Sequence, residues 1–162
     1  MKKLSVRIGD IFAVPVQVET GHHGFVLGRI ISEESSWLLI EIFETLFQDV
    51  PTRVDPWMMK KRLFRPVFMK FLFTDIPKWR VIQRNPSFDK REAGYENIRI
   101  AFRYALPPLI WEQGKTRVAK AGELDGLEPS IVWFPERIAT RIAAHLRGDL
   151  GPNDTYLAWL RM

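Results

Sequence analysis

The stretch GDIFAVPVQVETGHHGFVLGRII, Gly9 to Ile31, constrains the fold more than any other part of the chain. Two runs rich in valine, isoleucine and phenylalanine, about residues 11–18 and 24–31, flank Glu19-Thr20-Gly21 and a pair of adjacent histidines. Apolar runs of this length bounded by turn residues read as strands, so the segment predicts an antiparallel hairpin with His22 and His23 at its tip. The polar turn SEESS then leads into a third apolar run, residues 37–43, and three consecutive antiparallel strands are expected. Pro15, inside the first of them, places that strand at an edge or a bulge, because proline cannot donate to a ladder.

Further along, Pro66 interrupts WMMKKRLFRPVFMKFLF, which reads as a short helical or irregular piece through Arg62 followed by a strand over 67–73. KWRVIQRNP predicts a short strand centred on Val81, and NPSFDKREAGYEN a loop. NIRIAFRYA alternates Ile98, Ile100, Phe102 and Tyr104 with Arg99 and Arg103, the pattern of a half-buried strand with a basic outer face. Gln113-Gly114 sits between apolar pieces as a hairpin turn, and 131–134 reads as one more strand. The period then changes. Ile138, Ile142 and Leu146 recur every four residues beside Ala139 and Ala143, with Pro135 suited to a first helical position and Gly148 to the residue past the end. Burying those three aliphatic side chains contributes on the order of 5 kcal/mol before entropy is set against it.

A chain of 162 residues is large enough to bury a continuous core without staples, and no repeat or Gly/Ser-rich linker divides it. The absence of cysteine excludes disulfides, thiolate catalysis and every cysteine-ligated metal site. MKKLSVRIGD lacks the apolar core of a secretory signal, and no apolar run is long enough to span a bilayer, so a cytoplasmic protein with no membrane partner is expected. The net charge of +5 is unevenly spread. Residues 1–57 carry 5 basic and 8 acidic side chains, whereas residues 58–105 carry 12 and 4. A basic segment of this kind points to nucleic acid, an anionic surface or an acidic protein partner.

Candidate catalytic residues do not assemble into a motif. Adjacent histidines on a strand point to opposite faces, and His145, the third histidine, lies far along the chain, so His22 and His23 read as a polar turn supported by Gly21 and Gly24. There is no nucleophile elbow; Ser32, Ser35 and Ser36 cluster in a polar turn, and Glu33 and Glu34 have the look of a solvated one. Gly24 and Gly28 lack the lysine and hydroxyl of a phosphate loop. Lys60, Lys61, Arg62, Arg65 and Lys70 interleave with Phe64, Phe68 and Phe71, which suits phosphate contacts with base stacking, but the phenylalanines also alternate as core residues do. Trp57, beside Pro56, is the tryptophan best placed for exposure.

GDIFAVPV, followed by GFVLGRII and LLIEIFE, resembles the opening of the immunity protein 26 family of bacterial polymorphic-toxin systems. Gly9, Asp10, Phe12, Pro15, Gly24, Phe25, Gly28 and Arg29 match its pattern, and KWRVIQRNP is similar to its later tryptophan-containing strand. The likeness covers roughly the first hundred residues. It implies a non-catalytic protein that binds and blocks a cognate toxin encoded beside it, and it carries over no interface residue. The concentration of basic charge then favours an acidic toxin face, or contact through the acidic first 57 residues.

The expectation is therefore one immunity-protein-like domain over residues 1–162, of α+β class. A small, strongly bent antiparallel sheet or partly open barrel carries the C-terminal helix packed on it. Its function is stoichiometric occlusion of a toxin, with no cofactor and no metal, through exposed loop residues: Glu33 and Glu34, or Lys60, Lys61 and Arg62. The alternative is a nucleic-acid-binding module using residues 58–105, and a hydrolase built on His22 or His23 is the third reading. Oligomeric state is left open.

Overall fold

The computed structural model describes residues 6–70, 79–131 and 133–155. The hairpin forms as expected: β1 (Ile11–Glu19) and β2 (His22–Glu34) pair antiparallel around a turn in which Gly21 takes φ +83°. β3 (Trp37–Ile42) continues the meander, and β4 (Val67–Lys70) and β5 (Arg80–Gln83) complete a sheet of order β4-β3-β2-β1-β5. The expected continuation of β4 through residues 71–73 lies outside the described residues. β1 is flanked on both sides rather than at an edge, and Pro15 lies two positions past Ala13, the last residue of β1 that β5 pairs with among the described residues.

Residues 85–97, read as loop, contain two 3-10 turns, Lys90–Ala93 and Tyr95–Asn97. The first is fixed by a capping box: the Asp89 carboxylate accepts from the Arg91 backbone N–H at 2.9 Å, and Glu92 accepts from the Asp89 N–H at 3.1 Å. A second sheet follows, β6 (Arg99–Phe102), β7 (Leu109–Glu112), β8 (Lys115–Val118) and β9 (Glu128–Pro129), in the order β8-β7-β6-β9 with β9 parallel to β6. The β7–β8 turn is the predicted Gln113-Gly114, both with positive φ, 51° and 79°. Strand β6 stops at Phe102, and Tyr104, read as part of it, is 78% exposed. Instead of a strand over 131–134, Trp133 makes one isolated bridge to Met69, and residue 132 lies outside the described residues. Helix α1 runs Pro135–Arg147 and ends on Gly148 at φ +83°, as its sequence predicts.

The class is α+β, and neither sheet closes into a barrel among the described residues. One face of the first sheet carries Phe12, Val14, Val26, Ile30, Ile40 and Ile42 against Ile138 and Ile142 of α1, with Leu146 at the margin. The other face is divided. Ile11, Ala13, Leu27 and Phe43 lie under the 44–59 excursion, whereas Ile31, Leu39 and Phe68 pack on the second sheet through Ile100 and Trp111. Alternation buries Ile30 on one face and Ile31 on the other, and the register shift between Ile30 and Ser32 comes where β2 passes from the first apolar cluster to the second sheet. Among the described residues no helix is long and apolar enough to cross a membrane.

Candidate functional site: a cationic cleft beside a buried ion-pair chain

Leu27 and Leu39 are core residues on the divided face, so strand alternation directs Arg29 and Glu41 to that face too, between its two apolar clusters. They are register partners across β2 and β3. Glu41 is 1% exposed, and a carboxylate so placed needs charged partners. Arg29 donates from Nε to Oε1 at 2.7 Å, and Arg62 donates from Nε to Oε2 at 2.6 Å. The Arg29 guanidinium also lies 4.4 Å from the Phe88 ring centroid and 5.6 Å from that of Phe43. Arg62 donates a further bond to the Ala93 carbonyl.

Arg62 is in reach because the chain returns from its excursion along β3. Phe43 bridges Arg62, the Leu63 N–H donates to the Ile42 carbonyl at 2.9 Å, and the Glu44 N–H donates to the Lys61 carbonyl at 3.0 Å. This segment and the 92–94 turn form the walls of a cleft of about 540 Å³ with the Arg29–Glu41–Arg62 chain in its lining. Five basic side chains, Arg29, Lys60, Lys61, Arg62 and Arg65, face two carboxylates, Glu41 and Glu92. A second depression of about 670 Å³ shares Arg62, Arg65, Pro66 and Gly94 and adds Arg99.

Of the residues expected to meet a partner, Lys60, Lys61 and Arg62 come together at this cleft. Lys60 is exposed, Lys61 pairs with Glu44 at 2.9 Å, and Arg62 is half-buried in its structural role. Glu33 and Glu34 lie elsewhere, at the β2–β3 turn. Glu33 is exposed, whereas Glu34 accepts from the Tyr95 hydroxyl at 2.8 Å and from the Ser32 hydroxyl at 2.9 Å. Burial, then the Glu34 carboxylate, pushes the Tyr95 phenol up to about 12. His22 and His23 are exposed at the hairpin tip, with His22 Nδ1 3.9 Å from Glu19. No group of three His, Asp or Glu side chains among the described residues is placed to hold a metal. Phe64 and Phe68 are core, 2% and 5% exposed, while Trp57 is 59% exposed as expected and leans on Phe47.

Much of the basic excess of residues 58–105 is neutralised locally, since Arg84 pairs with Asp10, Arg91 with Asp89 and Arg99 with Glu112. The residues that escaped the sequence reading are the buried charges. Glu41 stands inside the apolar run WLLIEIF, and Arg141 falls on the apolar stripe of α1 between Ile138 and Ile142; both positions were the available signals. Arg141 donates to Glu128 at 2.5 and 3.0 Å, beneath the Phe64 ring at 4.2 Å, and Phe64 in turn lines the cleft.

The opening glycines, aromatics and Asp10 are framework for this arrangement. Phe12 stacks on Trp79 at 5.7 Å, and a Cβ on Gly28 would stand 2.5 Å from Cε2 of the Phe12 ring. Asp10, 1% exposed, accepts from the Arg7 N–H at 2.9 Å and from Arg84 at 3.0 Å. A family model described as Immunity protein 26 matches residues 7–105. The chain belongs to the immunity protein 26 family. No curated protein and no solved structure matches it. The family match spans the whole first sheet, the 92–94 turn and β6, and so includes both walls of the cleft. Helix α1 lies beyond the match, yet it covers the main core face of the first sheet. Membership of an immunity protein family implies a toxin partner and a role without catalysis.

Proposed function

We propose that this protein binds and neutralises a cognate bacterial toxin of a polymorphic-toxin system, acting in the cytoplasm by stoichiometric occlusion rather than by chemistry. The family match over residues 7–105 carries the reading. The open basic cleft supports it as a place where a rigid sheet presents fixed charge to a partner. Contact through Lys60, Lys61 and Arg62 belongs to this proposal, and so does contact through Glu33 and Glu34 on the opposite-signed turn, where Glu34 already accepts from Tyr95 and Ser32. The nucleic-acid alternative keeps its basic residues, but two of its three stacking rings, Phe64 and Phe68, are buried, and the third, Phe71, lies outside the described residues.

The test is co-expression in a bacterial host with the toxin domain encoded beside this protein. Growth should be restored by the wild-type chain and by no unrelated protein of similar charge. Equal killing with and without it would overturn the reading.

A further inference from the structure

One guanidinium in the cleft lacks an acceptor. Arg65 Nη1 is buried and has no hydrogen-bond partner among the described residues, and Arg65 lines both depressions. An unmet buried N–H carries a desolvation penalty, and a charged one carries more, so a carboxylate brought beside this guanidinium would offset a cost the free protein already bears. Neither carboxylate of the lining bonds Arg65 among the described residues. Both oxygens of Glu41 are taken by Arg29 and Arg62, and Glu92 is engaged with the Asp89 backbone. Lys60, also in the lining, makes no ion pair or hydrogen bond among the described residues.

We propose that this cleft receives an aspartate or glutamate side chain projecting from the toxin, with Arg65 as the anchor and Lys60 at the rim. The proposal rests on the immunity reading above and gives the partner's chemistry at one point. The planar guanidinium fork matches a carboxylate in two parallel bonds, and the cleft is open enough for a projecting side chain to enter. A nucleic-acid strand fits less well: Phe43 and Phe64, the rings in the lining, are each 2% exposed and offer no face for a base. The Arg29–Glu41–Arg62 chain serves as positioning, since it fixes the wall from which Arg65 projects.

The experiment measures binding of the purified full chain to the neighbouring toxin domain, and separately to oligothymidylate, for wild type, Arg65→Gln and Lys60→Glu. Thermal melts come first; Arg65→Gln should melt no lower than wild type, since it removes an unpaired charge. Toxin affinity should fall by about 30-fold or more in Arg65→Gln, mostly through faster dissociation. Lys60→Glu should slow association and reduce its salt dependence. One toxin Asp or Glu, replaced by Arg, should lose binding to wild type and regain it with Arg65→Glu. Unchanged toxin affinity in Arg65→Gln would overturn the proposal while leaving the immunity reading intact. Wild-type failure to bind the toxin would overturn both. Loss of oligothymidylate binding in Arg65→Gln with toxin binding retained would reassign the cleft to phosphate.

Discussion

Replacing Glu128 by leucine leaves the Arg141 guanidinium buried without its counter-charge. The two side chains are 2% and 1% exposed and share two hydrogen bonds, so solvent cannot compensate. Breaking such a pair from one side costs about 3–5 kcal/mol, whereas replacing both members by apolar residues of similar volume is often close to neutral. For a domain of this length each kilocalorie lowers the melting temperature by about 2–4 °C, so Glu128→Leu should melt about 6–20 °C below wild type. Arg141→Met should fall by a similar amount, because methionine keeps packing against Phe64 and Trp133 but strands the carboxylate. The double variant Glu128→Leu/Arg141→Met should recover most of the loss. Urea denaturation monitored by tryptophan fluorescence supplies the cycle, with an unchanged slope confirming that all four proteins unfold alike. Single variants within about 1 kcal/mol of wild type, or losses that simply add in the double variant, would refute the account of the pair.

Gly28→Ala should destabilise by about 1–3 kcal/mol or more, because the new Cβ would stand 2.5 Å from Phe12 Cε2 and 2.9 Å from Ile42 Cδ1; wild-type stability in a melt would contradict the packing. Ile142→Asp, at a position 0% exposed, should leave the protein unfolded or insoluble, and a native melt from that variant would undo the helix docking. Burial, then the Arg141 charge, lowers the His145 imidazole from the ordinary 6.5 to about 4. The unfolded chain therefore takes up a proton that the folded one refuses, so this contribution is whole above about pH 6.5 and is lost as pH falls toward 4. Melting temperature should decline over that window in wild type and decline less in His145→Gln; parallel profiles would show that His145 does not cause the decline.

What the sequence made legible was local. The hairpin is bounded by its own turn residues, the Gln113-Gly114 turn supplies its own positive φ, and α1 carries both proline at its start and glycine past its end. The second sheet was only half visible, because β9 is two residues long and pairs in parallel with β6 across 25 or more intervening positions of ordinary composition. Trp133 shows the same limit: an apolar run cannot declare whether a neighbour will pair with it, and among the described residues the pairing is one bridge to Met69. At the site, Lys60, Lys61 and Arg62 were visible as a basic run, but their convergence with Arg29 and Arg65 depends on the chain returning along β3 after its excursion. The burial of Glu41 was not legible, because periodicity shows which face a residue takes and not that the face is covered.

The central claim is that protection is stoichiometric binding. A titration of the neighbouring toxin domain's activity with the purified protein tests it directly, with calorimetry on the same samples. The account predicts that activity falls linearly and vanishes at one-to-one, where the binding isotherm also breaks. Suppression well below equivalence, with turnover of toxin or of its target, would contradict it and make the protein a catalyst.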